Sequence, residues 1–229
     1  MAEVVVSHAG DKNVSDVFVK PVEKEKTLSY VLDLSQLSLA VGDVVSYHAV
    51  VTDNKEPEGQ KARSEIYFIE ILPPEGEELE ADGGEMEAEQ KEIPVRDFIN
   101  RTKQIIRSTY DALGEEGEER ERRSIALSAD ALGLKHDMTK VYDENEGKFP
   151  SIDGIDLGEL LNEATYHIEQ TEIFAGDLEL EESLVPSEET LRKLVLMYAL
   201  LRKQQKMKAK GKGKGKEQEE TAEKQEPSE

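Results

Sequence analysis

Cysteine is absent from this 229-residue sequence. The chain therefore has no disulfide, no thiolate nucleophile and no cysteine-ligated metal site. Both the cytosol and a bacterial cell envelope are compatible with that absence, because some envelope proteins do without cross-links. The cysteine count thus excludes several chemistries and leaves the compartment open.

A long apolar run and a signal peptide are also missing. No apolar stretch approaches the roughly 18 residues that a bilayer-spanning helix needs. The start, Met1–His8, lacks both the basic end and the apolar core of a secretory signal. Taken alone, the sequence predicts a soluble, unexported chain that does not insert directly into a membrane.

Positive charge is scarce: 29 Lys and Arg residues face 51 Asp and Glu residues, and the formal net charge is -22. A chain this acidic repels nucleic acid and anionic membrane surfaces, so we expect neither as a partner. The Lys/Gly tract at 206–216 could follow a phosphate backbone, but no aromatic side chains are interleaved with its cations. We interpret it as a solvated tail.

Motifs for catalysis or metal binding are missing as well. The acidic turn starting at Asp143 fails as an EF-hand loop, because Gly147, Lys148 and Gly154 occupy its fifth, sixth and twelfth positions. The histidines are scattered and have no partner four residues away: His8, His48, His136 and His167. We therefore expect no enzymatic activity, no cofactor and no metal site.

The most specific pattern is a hairpin. Two β-rich runs, Val44–Thr52 and Ser64–Leu72, flank the turn-forming residues 53–59. Two upstream runs, Glu3–His8 and Val14–Val19, also predict short strands. The hairpin therefore closes a region that is rich in predicted β-structure.

The clearest period-two alternation lies at Thr27–Leu34, which predicts a strand with Tyr30 in the core. Five short strands at near-regular spacing favour an immunoglobulin-like or fibronectin-III-like β-sandwich, although a complete one has about seven. We expect residues 1–72 to form a partial β-sandwich whose opening strands are missing. Its unpaired edges could be completed by a segment of a partner protein.

A tyrosine corner is predicted where the last hairpin begins. Gly42 permits a tight turn, Asp43 can bond to the backbone two residues further on, and Tyr47 has the spacing that lets its hydroxyl bond back to upstream backbone. The alternative is that Tyr47 is a buried strand aromatic. In either case these are structural residues.

Composition divides the remaining chain. Residues 73–93 are acidic and rich in Pro and Gly, which predicts a disordered linker. From 94 to 204 the apolar period becomes 3.6, which predicts about four amphipathic helices in a loose bundle rather than one long coiled coil. Residues 205–229, Lys/Gly-rich and then Glu-rich, predict a disordered tail. The expected fold class is α+β in two separate parts.

The helix boundaries follow from capping residues. We expect helices from about Pro94 to Gly114, over Glu118–Tyr142 and Asp156–Phe174, and from Ser187, which follows Pro186 and can cap free amides. The predicted inward residues of the second helix are Ile125, Ala129, Leu132, Met138, Val141 and Tyr142.

The run Leu39–Asn54, followed by Ala62–Ile71, resembles the end of the immunoglobulin-like domain in an uncharacterised family of large bacterial membrane-anchored envelope proteins. Arg101–Thr109 and Glu188–Val195 resemble helices that follow this domain, so the likeness covers most of residues 28–203. This chain departs from the family pattern at Val41, where proline is usual, and in having no transmembrane helices.

The resemblance implies a C-terminal piece of such a protein, on the periplasmic side of the cell envelope, or the product of a split or truncated gene. It implies no catalytic residues. We therefore expect a non-enzymatic structural or protein-interaction module that binds protein partners through a sheet edge or its helices. The alternative is a cytosolic acidic adaptor or chaperone-like protein that acts through the helices and tail.

Overall fold

The computed structural model describes residues 2–8, 11–18, 29–54, 59–73 and 93–222. The strands are β1 (Ala2–His8), β2 (Asp11–Phe18), β3 (Val44–Thr52), β4 (Lys61–Arg63), β5 (Tyr67–Glu70), β6 (Ser151–Ile152) and β7 (Ile155–Asp156). The helices are α1 (Val95–Ala112), α2 (Gly117–Glu144), α3 (Leu157–Gly176) and α4 (Leu180–Ala222). The chain is therefore a mixed α+β protein, as expected.

The first five strands form one antiparallel sheet in the order β2-β1-β3-β4, with β5 also paired to β3. The first strand of the predicted hairpin is confirmed, because β3 has the predicted bounds. The predicted second strand, Ser64–Leu72, is shorter than expected: it pairs with β3 as β5, and β4 precedes it. Val51 lies opposite Ala62, and Val45 lies opposite Ile69. The immunoglobulin-like relationship stays a prediction.

The strand predicted at Thr27–Leu34 is not formed by its described residues, 29–34. That stretch is irregular and ends in a short 3-10 turn at Leu34–Gln36, with Tyr30 41% exposed rather than in the core. The Asp33 carboxylate accepts from the Ser35 amide at 3.0 Å. This local bond favours a turn over a strand ladder. Residues 74–92, which make up most of the predicted linker, lie outside the described part of the chain.

Helix α1 follows its sequence pattern closely. It starts after Pro94, and its buried residues recur with the helical period: Val95, Phe98, Ile99, Thr102, Ile105, Ile106 and Thr109. Helix α3 starts where Asp156 accepts from the amides of Gly158 and Glu159, at 2.7 and 3.1 Å. A capping carboxylate at this position stabilises the helix start.

The predicted inward face of α2 was wrong for Ile125, Ala129 and Leu132, which are exposed, whereas Met138 is buried and Val141 and Tyr142 pack against the core. Ile125 and Leu132 are 59% and 47% exposed, and the buried residues are Ser124, Leu127, Ala131, Leu134 and Met138. Helix α2 lies between α1 and α3, and both neighbours bind its polar side chains. The Ser124 hydroxyl donates to the carbonyl of Ala175 at 2.6 Å, for example. These polar contacts and the burial of Leu127, Leu134 and Met138 together set the rotation of the helix.

Helix α4 begins at Leu180, earlier than the predicted start at Ser187, and Pro186 lies inside it. Leu180 and Leu184 are buried, so the first turns dock on the core. The hydroxyl of Ser187 donates to the Leu184 carbonyl at 2.8 Å instead of capping a helix start. The helix continues to Ala222, past the predicted boundary at 204, although Gly211, Gly213 and Gly215 are poor helix formers. Residues 223–229 lie outside the described part.

The four helices form a closed arrangement in which α1 contacts α2, α2 contacts α3, α3 contacts α4 and α4 returns to α1. No helix within the described residues combines the length and apolarity that crossing a membrane requires. The buried side chains of all four helices belong to one core cluster. A four-helix bundle is therefore the larger part of the fold.

The sheet contributes to the same core. Ile66 is part of the core cluster, and Val44, Phe68 and Leu72 pack against it. Ion pairs reinforce this contact, because Glu70 binds Lys103 and lies 3.8 Å from Arg96. The predicted separation of the two parts is not confirmed, since the sheet lies against the bundle.

Candidate interaction surface

Strand β3 divides its side chains between two faces of the sheet. Ser46 and His48 are buried on the face toward the helices, where the His48 ring lies 5.3 Å from the ring of Tyr110. Tyr47 and Val51 point to the opposite face, which we call the outer face. Val51 is 51% exposed, so the end of this face is open.

The predicted corner residues lie where β3 begins. Gly42 has a φ of +97°, and its amide donates to the carbonyl of Ile71 at 2.8 Å. The carboxylate of Asp43 accepts from the amide of Ala40, three residues earlier in the chain, at 2.7 Å. Gly42 and Asp43 therefore form the turn that leads into the strand.

The ring of Tyr47 is half-buried and stacks on Tyr67, with the centroids 5.5 Å apart. Strands β3 and β5 place these two residues directly opposite each other. Stacked cross-strand aromatic pairs stabilise a sheet by about 0.2–1 kcal/mol. Tyr47 is thus part of the outer face, and the tyrosine corner stays a prediction.

Replacement of Tyr47 by Phe tests the corner, because it removes only the hydroxyl. If that hydroxyl bonds to backbone, urea titration of Tyr47→Phe should show a loss of about 0.5–1.5 kcal/mol. Tyr67→Phe is the matched control, since Tyr67 is 49% exposed and its hydroxyl is not required by the corner. Equal small losses in both variants would identify Tyr47 as a stacking residue only.

The outer face carries exposed apolar side chains next to the end of the sheet. Val51 and its cross-strand partner Ala62 are both exposed, and Tyr67 is 49% exposed. Ala49, two residues before Val51, is exposed too. These side chains form an apolar strip on the outer face, across β3, β4 and β5.

Within the described part of the chain, strand β4 lies at an edge of the sheet. The amide of Asp53 donates to the carbonyl of Gln60, and that of Ser64 to Ala49, both at 2.9 Å. In an antiparallel pair, residues that bond across the ladder alternate with residues that do not. Gln60, Ala62 and Ser64 therefore point their backbone groups inward to β3. The backbone groups of Lys61 and Arg63 point outward.

This outward row, which we call the β4 edge, is open to solvent. Residues 61–65 are all exposed. The Arg63 side chain is held in place, because its guanidinium lies 5.3 Å from the centre of the Tyr110 ring and donates to the Tyr110 carbonyl at 2.9 Å. The β4 edge is therefore exposed but anchored to α1.

A buried polar cluster lies beneath the sheet. The Ser7 hydroxyl donates to the carboxylate of Glu188 on α4, at 3.2 and 3.3 Å from its two oxygens. Burial, with a smaller contribution from Glu188, raises the pKa of Tyr110 to about 12, while Arg63 acts in the opposite direction. The cavity beside Ser7, Ser46 and Glu188 measures about 20 Å³. Room for roughly one water molecule suits a polar contact between sheet and helix rather than a substrate.

Sequence reasoning missed this cluster. Ser46 and His48 occupy the polar positions of an alternating strand, where solvent exposure is the ordinary expectation. Only the packing of the sheet on α1 and α4 buries them. Within the described residues, no group of three or more metal-ligating side chains is close enough to hold an ion.

Comparison with known proteins found no matching family model, no similar curated protein and no similar solved structure.

Proposed function

We propose that this chain is a non-enzymatic protein-interaction module that binds an extended segment of a partner protein along the β4 edge. The observation that carries the proposal is the outward direction of the backbone groups of Lys61 and Arg63. An edge with free donors and acceptors can pair with another strand, and this pairing is a common mode of peptide recognition.

The outer face supports the same function. A strand added beside β4 would place alternate side chains next to Ala62, with Val51 one strand further in. These exposed apolar groups lose contact with water when a partner side chain covers them, which favours binding by roughly 25 cal/mol for each Å² buried. Backbone pairing supplies the alignment, and the apolar strip adds affinity.

Replacement of Lys61 by Pro tests the edge directly. Proline removes an amide that points outward and leaves the bonds of Gln60, Ala62 and Ser64 to β3 intact. We expect Lys61→Pro to weaken binding of a fluorescein-labelled peptide of alternating Thr and Val. The affinity should fall about 2- to 12-fold, which corresponds to the loss of one hydrogen bond. Fluorescence anisotropy measures the change.

Lys61→Gln is the matched control, because it removes the charge and retains the amide. It should bind the uncharged Thr/Val peptide like the wild-type protein. In urea titration, Lys61→Pro should match Lys61→Gln, whereas Ala62→Pro should be less stable because it breaks the ladder to β3. Equal binding of the peptide by Lys61→Pro and Lys61→Gln, or no binding by the wild-type protein, would refute the β4 edge as the binding site.

We place this module in a bacterial cell envelope, on the strength of the sequence resemblance at Leu39–Asn54 and Ala62–Ile71. The proposal predicts that a reading frame directly upstream in the chromosome encodes transmembrane helices followed by further strands. A neighbourhood of cytosolic genes without such a frame would favour the acidic adaptor instead.

A further inference from the structure

The β4 edge carries two cations on one side. Arg63 lies opposite Val50 and points to the helix side, where it covers the Tyr110 ring. Lys61 lies two residues earlier and therefore shares that side, about 7 Å away along the strand. Ala62, between them, points to the outer face beside Val51.

We propose that the β4 edge selects a partner strand with the pattern acidic, apolar, acidic. This inference rests on the proposed function, since it specifies the chemistry of the segment that the edge binds. Two acidic side chains would lie next to Lys61 and Arg63, and the apolar side chain between them would lie next to Ala62 on the outer face.

The alternation of a strand makes this selection possible. Side chains at successive positions point to opposite faces, so one partner strand presents its acidic residues to the helix side and its apolar residue to the outer face. Directly opposed side chains on adjacent strands are about 5 Å apart at Cβ, and opposite charges at that distance stabilise the pair. Like charges at the same distance disfavour it.

Arg63 is the better organised of the two cations. Its guanidinium is oriented by the Tyr110 ring and carbonyl, so less side-chain freedom is lost when a carboxylate binds. Lys61 is exposed and adds charge without a fixed direction. We therefore assign the main acidic position to the residue opposite Arg63.

Glu65 limits the acidic pattern. It is exposed and follows Arg63 by two residues, just past the end of β4. A third acidic residue of the partner, opposite Glu65, would be repelled. The preferred segment therefore has two acidic positions and, two residues from the acidic residue opposite Arg63 on its far side, a neutral or basic residue.

The overall charge of the protein, -22, opposes the approach of an acidic peptide. At about 0.15 M salt, however, interactions between exposed charges are screened beyond roughly 8 Å. The cross-strand contacts with Lys61 and Arg63 are shorter than this distance and persist. Local charge therefore decides selectivity at physiological salt.

Three labelled peptides test the inference, with the central sequences Glu-Val-Glu, Gln-Val-Gln and Lys-Val-Lys between identical Thr flanks. In fluorescence anisotropy titrations at about 0.15 M salt, the acidic peptide should bind about 2- to 30-fold more tightly than the neutral one. The basic peptide should bind most weakly. Lys61→Gln should reduce the ratio of acidic to neutral affinity by about 1.4- to 5-fold.

The outcomes separate the two proposals. If all three peptides bind equally and Lys61→Pro weakens each of them, the β4 edge remains the binding site and the acidic selectivity is wrong. A preference for the basic peptide would also overturn the selectivity. If none of the peptides binds, the proposed function fails and this inference fails with it.

Discussion

Replacement of Leu134 by Ala is expected to destabilise the protein by about 2–5 kcal/mol. Leu134 is fully buried in α2, within the core that all four helices share. Truncation leaves a cavity that the surrounding helices fill only in part, so the loss exceeds the transfer free energy of the removed methyl groups. Urea titration, with the midpoint and the slope fitted separately, measures it.

Leu132→Ala is the matched control. Leu132 has the same side chain, lies two residues away in the same helix and is 47% exposed. Its replacement should change the free energy of unfolding by less than about 0.5 kcal/mol. Sequence periodicity predicted the opposite ranking, with Leu132 inward. A larger loss for Leu132→Ala than for Leu134→Ala would show that α2 is rotated relative to the structure described above.

Replacement of Gly42 by Ala should cost about 2–5 kcal/mol, for two separate reasons. At a φ of +97°, an L-residue is strained. A Cβ at this position would also lie 2.7 Å from the Cβ and 3.0 Å from the Cα of Leu196 in α4. Backbone cannot move aside as a flexible side chain does, so the sheet would have to shift away from the bundle.

Gly117→Ala isolates the conformational cost. Gly117 has a φ of +57°, and a Cβ there would meet nothing within 4 Å. We expect about 1–2 kcal/mol for this change, measured by the same urea titration. The excess for Gly42→Ala reports the contact between sheet and helix. Equal losses in the two variants would indicate that the sheet does not rest on Leu196.

The elements that sequence analysis predicted well are those whose apolar pattern is regular and one-sided. Helix α1 presents its apolar residues to a single packed surface, so periodicity alone locates it. Strand β3 is located instead by its run of β-branched residues between turn-forming residues, since it carries apolar side chains on both faces. Helix α2 has apolar residues on two sides, Leu132 and Leu134 among them. Its rotation depends on neighbouring helices, which local sequence does not specify.

Helix α4 shows a second limit of sequence reasoning. Proline commonly marks a helix boundary, and Ser187, which follows Pro186, is a favourable capping residue. In the structure the burial of Leu180 and Leu184 outweighs the loss of one backbone hydrogen bond at Pro186. A tertiary contact thus overrides a local signal.

The candidate site was predictable only in part. The expected partial sandwich already suggested exposed edges, and the hairpin sequence located two strands. Which backbone groups form the open edge depends on the register between β3 and β4. This register turns the backbone groups of Lys61 and Arg63 outward, and those of Gln60 and Ala62 toward β3. A shift by one residue would reverse that choice.

Amide hydrogen exchange at the β4 edge tests the central claim most directly. In the free protein, the amides of Lys61 and Arg63 should exchange rapidly, and the amide of Ser64, which donates to Ala49, should be protected. Saturation with the Glu-Val-Glu peptide should slow exchange at Lys61 and Arg63. Protection of both amides before the peptide is added, or unchanged rapid exchange after saturation, would contradict the claim that the β4 edge binds a partner strand.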